Sequence, residues 1–198
     1  MENLNFEELK IAYDRYMKLL RKFFPESELA VDAFEKELGE RLFLAPRDMT
    51  VPAGGVPGGI VSFSLSVAKH CKVFEAFVDP KKLVRVSLLH ELGKLGGPAS
   101  GQDLFVPEDS QWQRDRLKKH YRYNDSCQRM STAHRTLFYV SRYGFKVDED
   151  EWIALATSSV FQHDENRFYA TEVMPLGQAL HTARTFALAE LRQASQVP

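Results

Sequence analysis

Residues 83–96 read LVRVSLLHELGKLG, and this stretch decides which fold the sequence favours. Asp79 and Pro80 stand just before it, in the order typical of a helix N-cap and first helical position. A helix is therefore predicted through the apolar residues of the stretch, and Gly93 is predicted to end it. The C-terminal end of this predicted helix carries a histidine and a glutamate, and a lysine follows Gly93.

Amphipathic helices are predicted on both sides of this stretch. Residues 5–24 place large apolar side chains at three-to-four-residue spacing, and Pro25 follows them. The segment MTVPAGGVPGG is rich in Pro and Gly and is predicted to be a loop between the second and third helices. The second helix is opened by Ser27 and carries Leu29, Phe34, Leu38 and Leu42 on one side; the third covers about 59–77 with Ile60, Phe63, Val67, Cys71 and Phe74 on one face. The later helices run from Ser131 to about Tyr143, with Gly144 as terminator, from the capping box of Asp148 and Glu151, and from Pro175.

Residues 94–130 lack apolar periodicity and are rich in charged and aromatic side chains. Within them, LFVPED and HYRYND flank a polar stretch and are predicted to pair as a small β-hairpin around 103–124. No internal repeat is visible. The sequence therefore predicts one all-α domain over 1–198, a mostly helical bundle with N-terminal helices in 1–45 and a core over about 46–190.

The composition is that of an ordinary globular chain of 198 residues, with 44% hydrophobic and 27% charged residues. A formal net charge of −1 gives no general attraction to a polyanion, so nucleic acid is not an expected partner. Neither a signal peptide nor an apolar span of membrane length is visible, so no membrane partner is expected. The two cysteines match no CxxC pattern, and the expected location is the reducing cytoplasm.

The stretch LVRVSLLHELGKLG resembles the motif of the HD-domain metal-dependent phosphohydrolases, in which a helix ends in His-Asp-x-Gly-Lys and the His-Asp pair binds a divalent metal. Here the pair reads His90-Glu91. GGIVSFSLSV is similar to the family's preceding helix, and HRTLFYVSRYGFKVDEDEWIAL and PLGQALHTARTFAL are similar to its later helices in order and spacing. WQRDRLKKHYRYND resembles an insert of phage-type, nucleotidase-like members. The resemblance runs from about 40 to 190 and implies an HD-domain-like bundle.

The resemblance also identifies the positions where the family holds its metal, and most of them carry residues that cannot bind one. Metal-assisted phosphoester hydrolysis needs imidazole or carboxylate ligands around a divalent ion. His90 and Glu91 keep that chemistry, although glutamate reaches one methylene further than aspartate. The other matched positions are Phe63, Thr132, Ser158 and Arg184. No metal or other cofactor is therefore expected.

Arg184 places a cation where the resemblance implies a metal-binding aspartate. Like charges a few ångströms apart repel strongly at reduced dielectric, so an arginine here disfavours a bound dication. The same arginine can neutralise Glu91 through a charge-assisted hydrogen bond. We therefore hypothesise that an Arg184–Glu91 pair has replaced the metal.

Three functions stay open at this point, because a fold alone does not decide among them. The first is a catalytically lapsed enzyme, or phage-encoded pseudoenzyme, whose former pocket binds a nucleotide or phosphate or is merely filled. The candidate ligand-binding residues are His90, Glu91, Lys94, Arg184 and His181, the last of which lies three residues before Arg184 on the same helix face. The second is an active nucleotide phosphohydrolase that uses His90, Glu91 and Lys94 with manganese, magnesium, zinc or nickel. The third is a viral protein-interaction module that acts on a host protein through the insert over 100–130.

Other chemically active residues have a plainer interpretation. His70 lies about 10 Å along its helix from Phe63, too far for the same site. His120, and His163 with Asp164, are predicted to be surface residues. Arg114, Arg116, Lys118, Lys119 and Arg122 are predicted to form the solvated face of a hairpin, and Trp112, Tyr121 and Tyr123 to pin the insert to the core.

Overall fold

The computed structural model describes residues 6–99, 101–158 and 174–195. In these ranges the chain forms eight helices and one two-stranded antiparallel sheet, which confirms the predicted all-α fold with a small hairpin. None of these helices is both long enough and apolar enough to span a membrane. The helices are α1 (Phe6–Phe23), α2 (Glu28–Leu44), α3 (Gly59–Cys71), α4 (Pro80–Leu89), α5 (Gln111–Leu117), α6 (Thr132–Tyr143), α7 (Glu149–Ala156) and α8 (Pro175–Ala194); the strands are β1 (Phe105–Pro107) and β2 (Tyr121–Tyr123).

Several helix ends follow the local signals of the sequence. The Asp79 carboxylate accepts a hydrogen bond from the Lys81 backbone amide at 2.8 Å and so caps α4. Asp148 and Glu151 form the predicted capping box at the start of α7. Gly144 ends α6 with a φ of 79°, a left-handed conformation that glycine adopts without steric cost.

The predicted end of the helix before HELGK is wrong. Helix α4 ends at Leu89 rather than at Gly93, and a 3-10 turn over Leu92–Leu95 follows it. Gly93 is needed for another reason, because a Cβ there would lie only 2.0 Å from the Thr132 carbonyl oxygen at the start of α6. Glycine thus lets this turn pack directly against the α6 backbone.

Two other boundaries differ from the prediction. Helix α3 ends at Cys71 and continues as a 3-10 turn over Lys72–Phe74, so it is shorter than the predicted 59–77. The polar stretch inside the hairpin contains α5, whose N-cap is the Ser110 side chain. This short helix was missed because its seven residues bury no side chain and therefore show no apolar period.

Helix α3 lies at the centre of the bundle, in contact with α1, α2, α4 and α8. Its residues Ile60, Phe63, Val67 and Cys71 are all buried, as predicted. On α2 the buried face is Phe34, Leu38 and Leu42, whereas Leu29 is 85% exposed and does not belong to it. Leu29 lies in the first turn of α2, beyond the area that the neighbouring helices cover.

The hairpin is attached by different residues from those predicted. Phe105 of β1 is buried and contacts the Tyr123 ring, with centroids 5.3 Å apart. Trp112 and Tyr123 are 63% and 57% exposed, so the prediction that they pin the insert to the core is wrong. Tyr121 is partly buried, and its backbone amide donates to the Met49 carbonyl. Backbone pairing with the loop after α2 and the burial of Phe105 therefore hold the insert in place.

Candidate functional site

The end of α4 places His90 and Glu91 in the middle of the molecule. Val86 and Leu89 are buried on the preceding turns, so packing of α4 against α1, α3, α7 and α8 fixes where the helix stops. His90 is the C-cap of α4, and Glu91 opens the turn that follows. Both side chains have 0% exposure. A buried carboxylate at this depth requires partners of opposite charge.

Three cations surround the Glu91 carboxylate. Lys94 Nζ lies 2.8 Å from Oε2, Arg184 Nη2 lies 2.9 Å from Oε1, and Arg47 Nε lies 3.5 Å from Oε2. The contact between Arg184 and Glu91 that the sequence predicted is therefore present. We call Arg47, His90, Glu91, Lys94 and Arg184 the Glu91 cluster.

Arg47 is the member of the Glu91 cluster that sequence reasoning missed. It lies in the loop after α2, where its Nη1 donates to the Ala53 carbonyl at 2.7 Å. Its guanidinium also lies over the Phe63 ring, 3.8 Å from the centroid, in a cation–π contact. Phe63 therefore positions an arginine at the site. A lone arginine after a proline in an irregular loop gives no spacing signal from which this contact could be predicted.

His90 is held as a neutral imidazole. Its Nδ1 lies 2.8 Å from the Ser87 carbonyl oxygen, so Nδ1 carries the proton and donates it. Burial lowers the pKa of His90 to about 3, and the nearby Arg184 and Arg47 act in the same direction against Glu91. Nε2 lies 3.6 Å from Glu91 Oε1 and has no hydrogen-bond partner among the described residues. The unprotonated Nε2 is therefore a buried acceptor beside the Glu91 carboxylate.

Positive charge exceeds negative charge in the Glu91 cluster. Burial alone would raise the pKa of Glu91, but the charges of Lys94, Arg47 and Arg184 hold it well below its usual range. Burial lowers the pKa of Lys94, and Glu91 opposes that shift. With three cations, one carboxylate and a neutral histidine, the cluster carries an excess of two positive charges.

The residues of the Glu91 cluster do not fit a divalent metal ion. Only His90 and Glu91 offer ligand atoms, and three cations already lie within 3.5 Å of that carboxylate. The described residues contain no group of three or more His, Cys, Asp or Glu side chains arranged to hold a metal. Arg184 also donates through Nη1 to the Ser158 carbonyl. This donor set suits an anion better than a cation.

Other predicted residues lie at different distances from the cluster. The backbone of Thr132 packs against Gly93, in the turn that contains Lys94. His181 lies largely exposed on α8, where partial desolvation of its ring, together with the charge of Arg184, lowers its pKa. His70 belongs to a separate surface contact, 3.1 Å from Glu190. His120 is exposed, as predicted, while His163 and Asp164 lie outside the described residues.

The basic residues of the insert are largely paired within the insert itself. Arg122 lies 3.0 Å from Asp109, and Lys119 lies 3.2 Å from Glu108. Arg114 donates to the Glu108 carbonyl. These contacts agree with the prediction that the insert is a solvated hairpin rather than a phosphate-binding patch.

In comparisons with known proteins, no family model, no curated protein and no solved structure matches this chain.

Proposed function

We propose that this chain is a catalytically lapsed HD-domain-like protein that binds a phosphate-bearing ligand, such as a nucleotide, without hydrolysing it. One observation carries the proposal: Glu91 is buried and ion-paired with Arg47, Lys94 and Arg184. The resemblance of HELGK assigns this carboxylate to metal binding. With three cations around it, Glu91 is already neutralised, and a dication would be repelled.

The charge of the Glu91 cluster supports an anionic ligand. Two positive charges exceed what Glu91 neutralises, and Arg184 Nε has no hydrogen-bond partner among the described residues. Lys94 and Arg184 are the two cations with the most exposed side chains, at 13% and 17%. An incoming phosphate would meet these two groups first. A guanidinium can bind a phosphate through two parallel hydrogen bonds.

Ligand binding should appear as thermal stabilisation. We expect inorganic phosphate and nucleoside mono- and triphosphates to raise Tm in a concentration-dependent manner, whereas manganese and nickel should not. Binding at one hundred times Kd stabilises the folded state by about 2.7 kcal/mol. Arg184→Met should remove the effect, and Lys36→Met, at an exposed α2 position, should keep it. Metal-dependent phosphate release that is lost in His90→Ala would refute the proposal and favour an active hydrolase.

Metal content gives a separate test. After dialysis against manganese and zinc, the wild-type protein should contain almost no metal by elemental mass spectrometry. The double variant Phe63→His, Arg184→Asp restores the residue types that the resemblance implies, and we expect it to retain metal. Stoichiometric metal in the wild-type protein would contradict the proposal.

The exposed insert favours a second candidate function, recognition of a protein partner. Trp112, Leu117 and Tyr123 are 63%, 52% and 57% exposed, and large aromatic side chains are common at the centre of interfaces. Trp112→Ala with Leu117→Ala should abolish recovery of a specific host protein while leaving Tm unchanged. Recovery that both substitutions leave intact would exclude the insert as the interface.

A further inference from the structure

A cavity of about 390 Å³ lies on one side of Lys94, between the C-terminal end of α2, the Leu92–Leu95 turn and the hairpin. Its volume is in the range of about 300–1,000 Å³ typical of small-molecule sites. The walls are mainly apolar. The apolar and aromatic residues that line it are Leu44, Ala45, Pro46, Pro57, Leu95, Leu104, Phe105 and Tyr121.

Two of the charged residues in the wall, Arg41 and Asp103, form an ion pair with each other, and Arg41 also binds backbone carbonyls. Arg41 Nε donates to Asp103 Oδ1 at 2.6 Å, and its two terminal nitrogens donate to the Gly97 and Leu95 carbonyls at 2.7 Å each. Arg41 therefore links Leu95, Gly97 and Asp103 at this side of the cavity. Its guanidinium is engaged in these three contacts, and Asp103 is already neutralised.

Lys94 is the remaining cation in the cavity wall. Its ammonium group has three N–H donors, and the contact with Glu91 Oε2 at 2.8 Å uses one of them. Lys94 can therefore donate to a ligand in the cavity and keep its pair with Glu91. Glu40 is exposed and adds a negative charge to the lining. One available cation suits a ligand with one negative charge better than a phosphate dianion.

We propose that this cavity binds a small aromatic acid, that is, a planar ring carrying one carboxylate. The carboxylate lies at Lys94, and the ring lies between the apolar walls, near Phe105 and Tyr121. Apolar walls with one well-placed charged group are typical of sites that bind such ligands. Aromatic rings in the wall favour a flat ligand, since offset and edge contacts between rings add to the burial of apolar surface. This site shares Lys94 with the proposed phosphate position but does not include Arg184, which is not among the residues that line the cavity.

Titration calorimetry and ligand-observed NMR with benzoate and 2-naphthoate test the proposal. We expect both acids to bind the wild-type protein, and benzamide and acetate to bind at least tenfold more weakly, since each lacks the charge or the ring. Ala45→Phe fills the cavity and should weaken binding at least tenfold. Lys94→Met removes the cation and should have the same effect, whereas Lys36→Met should leave the affinity unchanged.

Three outcomes would overturn the proposal: no binding of either acid at millimolar concentration, undiminished binding to Ala45→Phe, or equal binding of benzamide and benzoate. Circular dichroism checks that each variant is folded. If Lys94→Met does not fold, the affinity of the Ala45→Phe variant for benzoate tests the proposal instead. Failure here is distinct from failure of the proposed function. Phosphate binding depends on Arg184, so Arg184→Met should leave the affinity for benzoate unchanged.

Discussion

Glu91 is the carboxylate on which the buried cations of the site depend. Within the described ranges, the ion pairs of Arg47, Lys94 and Arg184 are all made with this one side chain. A buried ion pair adds little net stability, because desolvation offsets the attraction. Removal of one partner is costly, since the others are left charged and buried. Loss of the Glu91 charge should therefore lower the free energy of unfolding far more than loss of an exposed carboxylate that also has three partners.

The substitution Glu91→Gln tests this at the scale of one residue. We expect a loss of about 3–5 kcal/mol in the free energy of unfolding, measured by urea denaturation, because three cations lose their counter-charge. Glu190→Gln is the matched control. Glu190 contacts Ser66, Lys69 and His70, but its side chain is 48% exposed, so the expected loss is under about 1 kcal/mol. Equal losses would show that the Glu91 cluster is not the buried ion network described above.

The turn after α4 is the element on which the geometry of the site depends. Gly93 donates its backbone N–H to Thr136 Oγ1 at 2.9 Å, and Thr136 Oγ1 lies 3.3 Å from the His90 carbonyl oxygen. Arg135 donates to the Gly93 carbonyl at 3.2 Å. Helix α6 therefore holds the turn through side-chain contacts on both sides of Gly93. These contacts between α6 and the turn set the spacing between His90 and Lys94.

Two glycine substitutions separate close packing from backbone strain at the scale of an element. Gly93→Ala should lower the free energy of unfolding several times more than Gly144→Ala. The reason is that a Cβ at position 93 would meet the Thr132 carbonyl oxygen at 2.0 Å. At Gly144 the space around a Cβ is open, and the cost is that of a left-handed residue, about 1 kcal/mol. Gly144→Asn should cost less than Gly144→Ala, since asparagine tolerates this conformation. Thermal denaturation of the three variants checks the order, and equal losses for both alanine variants would contradict the packing argument.

At the scale of the whole molecule, the Glu91 cluster joins segments that are far apart in sequence. Arg47 comes from the loop after α2, His90 and Glu91 from the end of α4, and Arg184 from α8. The protonation states of the cluster therefore affect the stability of the bundle as a unit. Both buried titratable groups at the centre, His90 and Glu91, have a lowered pKa.

The stability of the folded chain should fall in mild acid because of His90. Burial lowers its folded pKa to about 3, below the value of about 6.5 for an exposed histidine, so between these values the unfolded chain binds the extra proton. The free energy of unfolding should fall by up to about 1.4 kcal/mol per pH unit below about pH 6.5. Glu91 contributes in stronger acid: its stabilisation is present above its unfolded pKa and is lost as the pH falls through the lower folded value.

Urea denaturation at pH 7 and pH 5 measures this dependence. His90→Gln cannot titrate and should lose clearly less stability between the two values than the wild-type protein. His120→Gln removes an exposed histidine and should behave like the wild type. If His90→Gln and the wild type lose equal amounts, the acid sensitivity arises elsewhere.

The sequence alone determined the features that depend on neighbouring residues. Caps such as Asp79 and Asp148, the terminator Gly144 and the buried stripe through Phe63 and Val67 all follow from spacing, because their contacts lie within one or two helical turns. The all-α class follows from the apolar periodicity of the helices, and the hairpin follows from the two segments that flank a polar stretch. The resemblance of HELGK and PLGQALHTARTFAL to known motifs also predicted that His90, Glu91 and Arg184 belong to one site.

Only the tertiary structure decided what surrounds that site. Arg47 reaches Glu91 from a loop 44 residues earlier in the chain, and no local pattern encodes such a contact. The same reason explains the exposure of Leu29 and Trp112, since burial depends on which other elements cover a side chain. Gly93 suggests a helix end in the sequence, yet the approach of α6 is what requires it. Local order is set by short-range sterics and hydrogen bonds, whereas the charge balance of the Glu91 cluster exists only once distant segments have packed together.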